Sequence, residues 1–221
     1  MNKTPMGRIW IRHRTLRVVL TTLAAVLIGA PALVLGGWAP EPDPIPTHWE
    51  LNFEPGPLRI VHLETSAGPR DYFYLTYRVE NHTGKDQVFA PSFDLVTKEG
   101  AIRRSGRDVP AEVTEKILAM LRNPLLEDQI SILGNILQGV ENARDGLVIW
   151  PVDDLETDSI SIFVAGLSGE NKPYMAVDAA TGRNKRVMLR KTLMLNYDTP
   201  GSLAGRGAEP LELVEQKWVM R

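Results

Sequence analysis

The chain has no cysteine in 221 residues. That excludes disulfides, so stability must come from packing alone, and it excludes an acylated lipoprotein anchor. Histidine is scarce. Only His48, His62 and His82 follow residue 39, with no H-x-x-x-H spacing, so no zinc centre is implied. A phosphate loop is missing too, because Gly205-Arg206-Gly207 is followed by no helix start. Gly166-Leu167-Ser168-Gly169 misses the G-x-S-x-G nucleophile elbow by one residue and opens no helix. With no catalytic constellation, no metal and no cofactor implied, the expectation is a protein that is not an enzyme. A hydrolase survives only as a residual alternative.

Acidic residues are absent from the first 38 positions, and charge of either sign is absent from Val18 to Trp38. Residues 1–17 carry Lys3, Arg8, Arg12, Arg14 and Arg17. A basic tail followed by an apolar run is the order of an exported chain whose N-terminus stays in the cytoplasm. Twenty-one helical residues span roughly 31 Å, against a hydrocarbon core of about 30 Å. Residues 18–38 are therefore expected to be a transmembrane anchor, with the body facing the periplasm. The competing reading is a signal peptide cleaved near Ala32, after Ala30-Pro31-Ala32. Residues 39–47 place proline at every second position from Pro40 to Pro46, which predicts an extended spacer of roughly 25 Å. Residues 39–221 hold 20 basic and 27 acidic side chains, a balance of −7. An acidic body argues against binding nucleic acid or anionic lipid through a broad basic surface.

What the body has in plenty is alternation. In Tyr72 to Gly84, Phe73, Leu75, Tyr77 and Val79 recur at period 2, with Thr76, Arg78 and Glu80 between them. One dry and one wet face make a strand, and Asn81, Thr83 and Gly84 then supply a turn. Similar runs begin at Trp49, Leu58, Val88, Ala101, Leu147, Ile160, Pro173, Val187 and Leu211. Pro55-Gly56-Pro57 predicts a turn between the first two, and Pro91 an edge or a bulge. Residues 109–139 have a different texture. Val113, Ile117, Met120 and Leu121, then Leu126, Ile130, Leu133 and Leu137, follow helical spacing and predict a helical hairpin. The expected fold is mainly β: an antiparallel β-sandwich over 48–221 with that hairpin inserted, preceded by one N-terminal transmembrane or signal helix.

The run Tyr77, Val79, Asn81, Thr83, Gly84, followed by Phe89 and Phe93-Asp94-Leu95-Val96-Thr97, resembles the extracytoplasmic Ig-like domains of many bacteria. The longer stretch 72–201, including Asn142-Ala143-Arg144-Asp145 and Leu189 to Gly201, looks like membrane-anchored or secreted proteins of planctomycete-type bacteria. The resemblance implies an Ig-like fold in the cell envelope and brings no activity with it. The expected function is a non-catalytic envelope interaction or assembly module, with an envelope protein or a glycan as partner.

Three candidate sites remain. Tyr72 and Tyr74 lie about 6.6 Å apart on one strand face, with Arg78 further along. Two coplanar aromatics stack on sugar rings, or bury under a covering element; cover by the inserted helices is the preferred reading. Asp153, Asp154, Glu156 and Asp158 offer oxygen ligands, but without the calcium-loop order they read as a solvated loop. Asn81-His82-Thr83 fits a glycosylation sequon by chance.

Overall fold

The computed structural model describes residues 40–221, apart from 153, 154, 179, 200, 206 and 208. The basic tail, the apolar run and Ala39 lie outside the described residues, as do Asp153 and Asp154 of the acidic loop and Arg206. Among the described residues no helix is long and apolar enough to cross a membrane.

The chain runs β1 (Asn52–Thr65), β2 (Gly68–Glu80), β3 (Gln87–Phe89), β4 (Ser92–Thr97), β5 (Ile102–Arg104), helix α1 (Ala111–Leu121), β6 (Leu126–Asp128), β7 (Gly134–Ile136), β8 (Arg144–Pro151), β9 (Ser159–Ala165), β10 (Asn171–Val177), β11 (Asn184–Asp198) and β12 (Glu212–Met220). One sheet has the order β1-β2-β8-β6 and a second β10-β11-β9-β4-β5, with β12 also pairing β11. A two-stranded β3-β7 sheet stands apart. All pairs are antiparallel except β6 with β8.

The organising strand is β2, and the expected parity holds. Phe73, Leu75, Tyr77 and Val79 are buried, and they share one apolar cluster with Trp150 of β8 and with Phe93, Ile162 and Leu195 of the second sheet. Phe53 stacks on Tyr77 at 5.1 Å between centroids, and Tyr77 meets Phe93 at 5.0 Å. These rings join the two sheets. The opposite face of β2 carries a smaller cluster, Tyr72 and Tyr74 with Leu147 and Ile149, closed by Val113 and Ile117 of α1.

Three expectations need correction. Pro55-Gly56-Pro57 is not a turn: β1 runs through it, with Pro55 opposite Tyr77 and Leu58 opposite Leu75. Two residues on β1 face the single Thr76, which is a β-bulge. A Cβ on Gly56 would lie 2.4 Å from Thr76 Oγ1, so the bulge needs glycine. Second, only the first helix of the expected hairpin forms. After Arg122, in the left-handed region at φ 52°, the chain makes β6, a turn and β7. The Asp128 carboxylate accepts the N–H groups of Ile130 (2.7 Å) and Ser131 (3.1 Å), which competes with helical bonding. Gly134 and Gly139 adopt φ 136° and 99°, outside any right-handed helix. The buried residues of this segment are Ile132 and Ile136, not the set that repeats at helical spacing.

Third, the Pro-rich segment is not wholly free. Lys172 Nζ donates to the Glu41 carbonyl at 2.6 Å and pairs with the Asp43 carboxylate at 2.6 Å. The Asp43 N–H donates to Glu170 Oε1 at 2.8 Å. Residues 41–43 are therefore strapped to the start of β10, because charged partners on the body outcompete water for them.

Candidate functional site

Tyr72, Tyr74 and Arg78 do not form an exposed strip. Tyr72 and Tyr74 are buried beneath α1, against Val113 and Ile117, so neither ring offers a face to a sugar. The helix is held there by Glu112, whose carboxylate accepts the N–H and the hydroxyl of Ser66 at 2.8 and 2.7 Å. Those two bonds hold the Glu112 carboxyl below the ordinary range. Arg78 lies further along, where its Nε donates to Glu80 at 3.0 Å and its Nη1 to Asp145 at 3.1 Å. His82 Nε2 extends the chain at 3.0 Å from Glu80. The bonds from His82 and Arg78 hold the Glu80 carboxyl below its ordinary value. Arg78, Thr76 and Leu126 wall a hollow of about 390 Å³ beside the β1 bulge. Because Glu80 and Asp145 already neutralise the guanidinium, and Glu54 lines the same hollow, its walls offer no free cation to an anionic ligand.

The turn after β2 explains the motif that carries the family resemblance. Asn81 is fully buried: its amide donates to the carbonyls of Lys85 (3.0 Å) and Ile136 (2.8 Å), and its Oδ1 accepts the Thr83 N–H at 3.0 Å. Asn81 thus ties the 81–85 turn to β7. A side chain so engaged is no glycosylation acceptor.

Sequence reasoning missed a charged cluster at the root of β10 and β11. Lys191 and Glu170 are 3% and 2% exposed, and Lys191 Nζ lies 3.3 Å from Glu170 and 2.7 Å from Glu50. Lys172 reaches the other Glu170 oxygen at 3.3 Å, and the Trp218 ring lies 5.1 Å from Lys191 Nζ. Burial alone would pull the Lys191 ammonium down, but Glu50 and Glu170 outweigh it and hold it above the ordinary lysine value. Burial alone would likewise push the Glu170 carboxyl up, but the Asp43 N–H and the two ammonium groups hold it low. A signal for this cluster was present: Lys191 has the same parity as Leu193, Leu195 and Tyr197, so a charge points inward there. Lys191 and Trp218 face the strap across a groove of about 730 Å³.

The second missed feature is apolar. Leu125, Ile130 and Val88 are 73%, 69% and 68% exposed, and Leu133, Leu137 and Val140 are also exposed. Val88 of β3 stands opposite Asn135 of β7, so Leu133 and Leu137, two residues to either side, are its diagonal neighbours. The segment after α1, freed from the expected second helix, turns Ile130, Leu133 and Leu137 of the repeating apolar set to solvent, while Leu126 packs against the smaller cluster. Among the described residues no group of three or more His, Asp or Glu side chains is placed to hold a metal ion. No family model, no curated protein and no solved structure matches this chain, so the reading of its site starts from these residues.

Proposed function

We propose that residues 48–221 are an Ig-like β-sandwich, held outside the cytoplasmic membrane by residues 18–38, that serves the envelope as a non-catalytic interaction or assembly module. Two principal sheets sharing one core fit the sandwich, and the basic-then-apolar order of residues 1–38 fits the anchor. The observation that carries the interaction role is that Val88, Leu125, Ile130, Leu133 and Leu137, all large and apolar, face solvent. Large apolar side chains left in water cost hydration free energy on an isolated domain, and a protein partner removes them from it. Such uncharged side chains match another envelope protein better than a polar glycan. The glycan alternative through Tyr72 and Tyr74 is not carried forward, since α1 covers both rings.

The test has two arms. In fractionated cells the full chain should sediment with washed membranes, and the body should be digested by protease added from the periplasmic side. A photo-crosslinking residue at Val88 or Ile130 should then give discrete higher-mass adducts, while one at exposed Lys98 should not. Recovery in the cytosol would end the anchor reading. Crosslinks no more frequent from Val88 than from Lys98 would end the interaction reading.

A further inference from the structure

The outer half of the second sheet is a two-stranded ribbon. β9 and β10 follow one another along the same edge of β11: Val164 pairs with Leu193, and Asn171 with Arg190. On the opposite edge β12 reaches only Lys191, paired with Met220, and Arg221 closes the last bonds to Arg190. Among the described residues, 184–189 therefore pair with β10 alone. Seven residues give this ribbon a length of roughly 23 Å. Its register places Pro173 opposite Met188, Met175 opposite Arg186 and Asn171 opposite Arg190 on one face. That face is fully exposed: Met175 and Met188 are each 56% accessible, Val177 is 67%, and both arginines lie open to solvent.

Its charge is opposite to that of the rest of the body. Residues 171–190 hold five basic side chains and one acid, a balance of +4, while the remainder of 39–221 holds 15 and 26, a balance of −11. Lys172 is spent on the strap, but Arg183, Lys185, Arg186 and Arg190 make no ion pair among the described residues. Apolar tips flanked by guanidinium groups are the composition of an element that lies in a headgroup layer: the methionines and valine enter the acyl boundary, and the arginines meet phosphates.

The strap sets the distance. Lys172, at the ribbon's root, holds Glu41 and Asp43, and the apolar run ends at Trp38, three residues before Glu41. Three extended residues reach about 10 Å at most. We infer that the outer face of the 171–190 ribbon, with Met175, Val177 and Met188 framed by Arg186 and Arg190, docks on the anionic surface of the bilayer. This inference rests on the anchor reading above.

The absence of cysteine makes the test direct, because Met175→Cys carries the only thiol for an environment-sensitive fluorophore. Full-length labelled protein is reconstituted into phosphatidylglycerol or phosphatidylcholine vesicles and floated on a density gradient. Expected are flotation in both, a blue-shifted emission quenched by spin-labelled lipid in phosphatidylglycerol alone, and loss of that shift when Arg186→Glu and Arg190→Glu are added. Raising salt from 0.1 to 1 M, which shortens the screening length from about 10 to about 3 Å, should also diminish it. Melting of the reversed variant should match the parent, because both arginines are exposed. Failure to float overturns the anchor reading and this inference together. Flotation with water-like emission in phosphatidylglycerol overturns the docking alone. An equal shift in both lipids, or one that grows with protein concentration in lipid-free detergent, also overturns it; the latter assigns the face to a second copy.

Discussion

Replacing Gly146 by alanine tests the register on which the core depends. Gly146 stands directly opposite Tyr77 in the β2–β8 ladder. With no side chain in its way, the Tyr77 ring folds across that position, an aromatic filling the gap left by a strand glycine. An added Cβ would lie 2.2 Å from Tyr77 Cζ and 2.5 Å from its hydroxyl oxygen. The ring cannot retreat, because Phe53 and Phe93 hold it at 5.1 and 5.0 Å and it is almost wholly buried. Overpacking a core costs typically 1–3 kcal/mol, and a ring locked on both sides argues for the upper end, about 3 kcal/mol. For a domain of this size that lowers Tm by roughly 6–12 °C. The sign should reverse in a Tyr77→Leu background. There the clash is gone, and alanine recovers the backbone entropy that glycine forfeits, a gain of about 0.5–1 kcal/mol. Urea unfolding of the four proteins, followed through tryptophan emission with Trp150 buried in the core, measures the coupling. If Gly146→Ala melts like the parent, or costs the same in both backgrounds, Tyr77 does not lie over Gly146 and the β2–β8 register is wrong.

Leu75→Asp should prevent folding, since it forfeits about 1.5–3 kcal/mol of burial and places a charge among apolar side chains; unchanged melting would contradict the parity of β2. Lys191→Met should cost about 2–3 kcal/mol by urea unfolding, less than a fully buried pair because Glu50 is a quarter exposed. A cost below 0.5 kcal/mol would mean that the cluster is solvated. The pH dependence has a definite sign. Glu170 is held below the ordinary 4.5, so its contribution is complete above that value and is lost as pH falls further; Lys191 is held above 10.5, so its contribution is complete below that value and is lost as pH rises beyond it. Glu170→Gln should therefore flatten the acid limb below about pH 4.5, and an acid limb as steep as the parent's would refute the assignment.

Alternation made β2, β9 and most of β11 legible, because a period of 2 with one buried face leaves a strand few alternatives. The failures share a cause: local signals were outvoted by pairing. Pro55-Gly56-Pro57 reads as a turn by itself, yet the long β2 offered ladder partners on both sides of it and the chain bulged instead. The run expected from Leu147 likewise begins earlier, at Arg144, because it pairs along β2 with Gly146 opposite Tyr77. In 126–137 the apolar spacing matched a helix by coincidence, and Asp128, Gly134 and the Glu127–Arg144 ion pair decided otherwise. Of the candidate site, cover of Tyr72 and Tyr74 by α1 was legible from the apolar face of each. The Lys191 cluster was not, since Glu50 lies more than a hundred residues from both Glu170 and Lys191 and only the parity of Lys191 marks it.

The strap also has a mechanical meaning. A pull applied at Pro40 is resisted first by the side chain of Lys172 and by the carboxylate of Glu170, which hold residues 41–43. Only after these part does tension reach the backbone bonds of Trp49 and Leu51 with Gly169 and Leu167, and β1 beyond them. Unfastening thus comes in two stages. The first frees the residues before β1 while the core stays whole, so this segment has a short reach at rest and a longer one under strain.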